Sequence, residues 1–364
     1  MTIRYLRSDS LIPKGELAVK TLEQIHREFG AKVEPFTLHL PLPELLAGAW
    51  MACRESLLAG SVRRDAKEAV AATVSAINRC PYCVDAHSIM ILGSSGKDYT
   101  EALTAMRLEA IDDPYIQDVV KWSAATLSPG STELLSPPFS AREAPEFIGT
   151  AVFFHYINRM ASILLGVSPL PFHRGKLKKV TLRAAAWFFS KAIRLPKKAC
   201  VSLSLLPEAR LPEDFVWAKP SVCIAGAYAA FSRVIESAGT MVLPEHVRVS
   251  VLHAVETWDG KNPGTNRAWA KPYLVGKEEN AKAACELALL AALAPYRVTD
   301  AEVSAFSDHY PGDEKLVAVL AWASFTAARR IGRWIAQTER PSCFQDSQRC
   351  KRRERSSGDS GLLI

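Results

Sequence analysis

The sequence predicts an all-α fold, and three observations carry that expectation. Apolar residues recur at i, i+3, i+4 and i+7 over ten or more residues in Leu45 to Leu58, Ala66 to Ile77, Ile116 to Leu127, Phe147 to Leu165, Val222 to Ile235 and Leu316 to Ile335. Short alternating runs bounded by Gly or Asn-Gly turns are absent; Val33 to Leu42 alternates weakly, but Pro35, Pro41 and Pro43 break it. Of the 364 residues, 48% are hydrophobic, enough to bury a sizeable core.

At the start of the chain, Met1 to Arg7 is followed by no apolar run of the kind a secretory leader needs. No segment approaches the roughly 18 uncharged apolar residues of a spanning helix. The expectation is a soluble, cytoplasmic protein. The net charge of +7 is mild for this length, so no nucleic-acid footprint is read from it. Of the eight cysteines only Cys80 and Cys83 are closely spaced. Cys53, Cys223 and Cys285 lie among small and apolar residues and read as buried, inert thiols.

The chain also reads as a duplication. Ala47-Gly48-Ala49-Trp50 recurs as Ala225-Gly226-Ala227-Tyr228, and Leu127-Ser128-Pro129 recurs as Leu293-Ala294-Pro295. Phe154, Arg159, Met160 and Ala161 recur as Phe325, Arg330, Ile331 and Gly332. Three anchors in one order favour an internal repeat. The expected division is a helical domain with the active site at 1–172, a basic amphipathic linker helix at 173–200, a second, degenerate helical domain at 201–338, and a disordered basic tail at 339–364. No acidic residue occurs between Glu146 and Glu208. The linker's Trp187, Phe188, Phe189, Ile193 and Leu195 are expected to pack between the two halves while its lysines stay solvated. Contact with an anionic membrane surface is the less favoured reading of this helix.

Chemistry concentrates in Glu68 to His87. Residues 66 to 78 read as one helix, which Pro81 ends, with a new helix starting near Tyr82 or Cys83. A cysteine at a helix N-terminus sees the positive end of the macrodipole, which favours its thiolate. His87 follows Cys83 by four residues, on the same helix face, where it can act as base. A thiolate at Cys83 can attack a peroxide O–O bond and become a sulfenic acid. Cys80 can then condense with it to a disulfide. Glu68 is harder to place: twelve residues of straight helix put it about 18 Å from Cys80. It can meet His87 only if the second helix folds back beside the first.

The spacing Glu68-x11-Cys80-x2-Cys83-x3-His87 resembles the signature of the alkylhydroperoxidase D-like group in the carboxymuconolactone decarboxylase superfamily. Asn78, Val84, Ala86 and the later Phe154-x4-Arg159 helix are similar to that family too. The resemblance covers roughly residues 30 to 168 and, more faintly, 220 to 338. It implies two such helical repeats and reduction of organic hydroperoxides. It implies Cys83 as the attacking thiol, Cys80 as proton donor and resolving thiol, and Glu68 with His87 as proton relay. It also implies an external dithiol donor of lipoyl or thioredoxin type, with no cofactor and no metal. Tyr82 stands where well-studied members carry a histidine. The second half lacks the set: its cysteine region aligns near Trp258 to Asn262 and its Glu68 equivalent near Arg248. It reads as a structural partner in place of a neighbouring subunit; homo-oligomers remain open.

Other readings stand beside this one. Cys-Pro-Tyr-Cys is also the glutaredoxin tetrapeptide, but here it follows a helix, not a strand; dithiol–disulfide exchange on a helical scaffold stays open. Zinc held by Cys80, Cys83 and His87 would lack an obvious fourth ligand. A non-catalytic helical binding module would keep the cysteines only as a redox-sensitive clasp. His155 and His253 read as core or interface histidines, and His39 has no partner at useful spacing.

Overall fold

Where each helix begins and ends follows from local backbone chemistry. The computed structural model describes residues 3–170, 175–264 and 266–336. The longer helices are α1 (Gly15–Phe29), α2 (Pro43–Cys53), α3 (Arg64–Ile77), α4 (Pro81–Ser95), α5 (Pro114–Ala124), α6 (Ala144–Leu164), α7 (Gly175–Arg194), α8 (Val222–Val242), α9 (Glu245–Glu256), α10 (Glu279–Leu293), α11 (Asp300–His309) and α12 (Asp313–Ala336). No strand forms among the described residues, so the fold is all-α. Proline opens α2, α4 and α5, where its missing N–H leaves no bond unmade. Gly30 and Gly96 close α1 and α4 in the left-handed conformation that glycine adopts without strain.

α3 and α4 form a hairpin through Asn78, Arg79 and Cys80, and α3 also packs on α5 and α6. α2 lies on α8, and α6 lies on α12. Small residues allow these crossings. A Cβ on Gly48 would stand 3.0 Å from the Phe231 ring, and one on Gly332 would stand 2.9 Å from Val152. One buried apolar cluster runs from Ala18 to Ile335, so the core is continuous through both halves of the chain.

Two expectations need correction here. α7 does not pack between the halves; it lies on α4 and α1. Its Leu182, Ala186 and Ile193 are buried, whereas Trp187 and Phe188 are exposed. The reason is what α4 offers. Gly93 lets α7 approach so closely that a Cβ there would be 2.5 Å from Ile193 Cδ1. Lys178 Nζ pairs with buried Asp85 at 2.6 Å, and Arg194 Nε donates to the Gly93 carbonyl at 2.9 Å. Second, Cys223 is not a free thiol. It is disulfide-bonded to Cys200, which ties the segment leaving α7 to the first turn of α8. Cys200 is brought there by its backbone N–H bonding Glu55 at 2.7 Å, a contact across 145 residues that no local spacing reveals.

The histidines divide similarly. His155 is a core residue bonded by Asn78 (3.0 Å) and Thr126 (2.9 Å), as expected. His253 is exposed instead, edge-on to the Tyr273 ring. His39 has a distant partner, the Tyr156 hydroxyl at 2.6 Å. Residues 171–174, where the expected first domain meets the expected linker, and the expected tail at 339–364 fall outside the described residues.

Candidate active site

The α3–α4 turn decides where the cysteines sit. α3 ends at Ile77, and Arg79 takes a left-handed φ of 55° to reverse the chain. Cys80 is the residue just before α4, in a non-helical conformation, and Pro81 is its first helical residue. The helix therefore starts earlier than the sequence suggested. Proline fits N1, so it opens this helix as well as excluding the previous one. Cys80, not Cys83, occupies the N-cap position, and Cys83 is the third residue of the first turn.

That shift matters for charge. The sulfurs are 3.0 Å apart and almost fully buried. Burial opposes ionisation of Cys80, but the Cys83 thiol in contact with it and the nearby Cys83 backbone N–H outweigh burial and hold its pKa below the ordinary thiol value. Burial raises the Cys83 thiol well above that value, and the neighbouring Cys80 sulfur adds to the effect. Of the two thiols Cys80 is therefore the one that ionises more readily, with Cys83 beside it as hydrogen-bond donor. The expectation that the helix terminus favours a Cys83 thiolate does not hold, because burial and the adjacent Cys80 sulfur push that thiol up.

Glu68 and His87 meet. The hairpin brings His87 Nδ1 to 2.6 Å from Glu68 Oε2, with no intervening atom. Glu68 Oε1 accepts from Arg64 Nε at 2.6 Å, four residues earlier on α3. Burial alone would raise the Glu68 carboxyl pKa, but the Arg64 and His87 charges outweigh it and hold it below 4.5. A carboxylate only accepts, so His87 Nδ1 donates, and in the neutral ring Nε2 carries the lone pair. The Phe154 ring, 4.4 Å away and edge-to-face, fixes the imidazole plane.

Cys83 and His87 both face a cavity of about 290 Å³. Its walls are largely apolar: Phe36, Met90, Phe153, Ile157 and, from α7, Ala185 and Phe189. Tyr82 lines it as well, its hydroxyl donating to Glu34 Oε2 at 2.9 Å. Such a space takes an apolar organic molecule and leaves its polar end beside the thiol. Among the described residues no group of three or more His, Cys, Asp or Glu side chains is spaced to hold a metal ion.

All four residues singled out from the sequence therefore lie in or beside one site. What sequence reasoning missed is its other wall, the loop from Phe29 to Phe36 and the inner face of α7. Arg64 carried a readable signal, its i, i+4 spacing to Glu68; Glu34 and Phe189 carried none.

Two comparisons bear on the site. Residues 44–125, which run from α2 through α5 and include Arg64, Glu68, Cys80, Tyr82, Cys83 and His87, match the Carboxymuconolactone decarboxylase family. The chain is 37% identical over 321 residues to an alkyl hydroperoxide reductase of Mycobacterium tuberculosis; the alignment covers 88% of this chain and 91% of that protein. A match of that length takes in both halves of the chain.

Proposed function

This chain belongs to the alkylhydroperoxidase D-like proteins of the carboxymuconolactone decarboxylase family, and from that premise we propose that it is a thiol peroxidase reducing organic hydroperoxides at Cys83. The observation that carries the reading is the pair of sulfurs at 3.0 Å beside the Glu68–His87 bond, opening on an apolar cavity.

In the reactive form one thiol proton has passed to His87 Nε2, and the buried pair shares the other. When it moves from Cys83 to Cys80, Cys83 becomes the nucleophile and Cys80 the acid. The Cys83 thiolate attacks the outer oxygen of ROOH, the O–O bond breaks, and the departing alkoxide takes the Cys80 proton to leave as ROH. Cys83 is then a sulfenic acid and Cys80 a thiolate. Cys80 attacks the Cys83 sulfur; the hydroxide leaves as water with a proton relayed by His87, whose protonated ring the Glu68 carboxylate stabilises. The sum is one hydroperoxide and two thiols giving alcohol, water and a disulfide. An external dithiol must reduce that disulfide. With both sulfurs buried, a slender lipoyl-type arm fits the approach better than a thioredoxin-type protein surface. The same burial weighs against exchange with protein disulfides as the main activity.

We also propose that the chain is a duplication in which α8, α9, α10 and α12 repeat α2, α3, α5 and α6. The order of the helices and the packing of α2 on α8 and α6 on α12 support this. The second repeat would then stand where a neighbouring subunit could. A cytoplasmic location suits a dithiol-recharged enzyme, since donors are kept reduced there; the Cys200–Cys223 bridge weighs the other way, such bridges being scarce in reducing compartments.

The test is steady-state reduction of cumene hydroperoxide with dihydrolipoamide, thioredoxin and glutathione as donors. Wild type should turn over and Cys83→Ser should fall to the uncatalysed background. Unchanged turnover in Cys83→Ser removes the assignment. Cys80→Ser should leave a sulfenic acid that dimedone traps at Cys83.

A further inference from the structure

α7 has two apolar faces, and packing accounts for only one. Leu182, Ala186 and Ile193 are buried on α4. On the opposite side Leu177, Val180, Ala184, Trp187, Phe188 and Leu195 follow one another at helical spacing and are exposed. The exposure is large where it matters: Trp187 is 80% exposed, Phe188 65% and Val180 63%. A surface helix in water ordinarily shows charge on that face.

The charges lie around this stripe and have one sign. α7 carries six Lys or Arg and no acidic residue in twenty positions. Lys178 is spent on Asp85 and Arg194 on the Gly93 carbonyl. Lys179 has only a solvent-exposed Glu101 at 3.7 Å. Arg183 is exposed at the edge of the stripe, and Lys191 is exposed within it, four residues after Trp187 and four before Leu195. An aromatic and aliphatic stripe bordered by cations is the pattern of a helix lying in the interface of an anionic bilayer. None of the helices among the described residues is long and apolar enough to cross a membrane, so the contact is peripheral.

We propose that α7 docks the protein on anionic membrane surfaces, with Trp187 and Phe188 inserted among the lipids and Lys179, Arg183 and Lys191 on the headgroups. The other side of the same helix lines the cavity with Ala185 and Phe189. One helix diameter, about 10 Å, would then separate the lipid interface from the chamber holding Cys83. Docking in this orientation places an apolar hydroperoxide formed in the bilayer next to the cavity wall. The docking claim does not depend on the peroxidase reading, since binding is measured without turnover.

The experiment is flotation of the full chain with vesicles of phosphatidylcholine alone or of phosphatidylcholine mixed with phosphatidylglycerol. Wild type should float with the mixed vesicles and bind them at least about tenfold more tightly than neutral ones. Trp187→Ser with Phe188→Ser should lose that binding. Lys179→Glu with Arg183→Glu should lose it separately, by removing charge and leaving the apolar stripe intact. Each variant should keep wild-type circular dichroism and wild-type turnover of a water-soluble hydroperoxide. Failure of wild type to bind mixed vesicles overturns the proposal. So does equal binding to both lipids, or binding that survives both double variants. A concentration-dependent dimer in sedimentation velocity that Trp187→Ser and Phe188→Ser dissolve, without vesicle binding, assigns the face to a second copy of the chain and overturns it equally.

Discussion

In the duplication proposed above α9 corresponds to α3, and the ends of the two helices lead into different structures. Both helices close with a right-handed C-cap residue, Asn78 in one and Thr257 in the other. After α3 comes Cys80-Pro81 and a helix of fifteen residues carrying Cys83 and His87. After α9 comes a loop, then a short turn at Arg267–Trp269 and a four-residue helix, Lys271–Leu274. The loop is a packing device. Trp258 packs at a tilt against Trp334 and under the Arg159 guanidinium, and Gly260, at φ 87°, lies so close to the Leu127 carbonyl that a Cβ would come within 2.0 Å of it. The comparison teaches that the scaffold needs something to fill this place, whereas the chemistry needs a helix that begins at a cysteine and runs on far enough to carry a base.

The largest effect that would break this contrast lies at the base. His87→Ala should lower peroxide turnover per folded molecule by about 10²–10⁴-fold, the usual worth of a positioned proton-transfer group. A near-wild-type rate would mean that the long helix after Cys80 serves packing, as the loop after α9 does.

Glu68→Gln is the next sharpest probe. A glutamine can donate its amide N–H to His87 Nδ1 and so favour the tautomer with Nε2 protonated, which cannot accept; turnover should fall by about a hundredfold. The pH dependence has a definite sign. The Glu68 pKa is held below 4.5 in the fold, so its stabilising contribution is complete above the unfolded value and is lost as the pH falls through the folded one. Acid unfolding of Glu68→Gln should lack that portion of the pH dependence below pH 4.5, measured by denaturation at stepped pH.

At the matching place in the second half, Gly260→Ala should cost about 2–4 kcal/mol of stability, from backbone strain and collision with a carbonyl. Thermal denaturation reads the loss. Turnover per folded molecule should not change; if it does, the second half takes part in the chemistry. Smallest is Tyr82→Phe, which removes the bond to Glu34 and should cost about 0.5–1.5 kcal/mol in chemical denaturation. A change in donor preference as well would make Tyr82 part of the approach to the sulfurs.

Part of this protein could be read from the order of its residues. The all-α class follows from apolar spacing, because helix periodicity is a local property repeated along the chain. The identity of the site was legible for the same reason: Cys80, Cys83 and His87 lie within eight residues, on a single turn and helix. Where reading stopped, the deciding contacts were between elements. Glu68 reaches His87 only because α3 and α4 pair side by side. Cys80 rather than Cys83 is the more readily ionised thiol because Pro81 opens α4 and leaves Cys80 just before it, with Cys83 in the first turn beside it. Cys200 meets Cys223 through Glu55, far away in the chain. The two faces of α7 look alike in sequence, both apolar and bordered by lysine and arginine; Gly93 and Asp85 on α4 settle which one is buried. Periodicity says that a face is apolar, but only the surface opposite can say whether that face is covered.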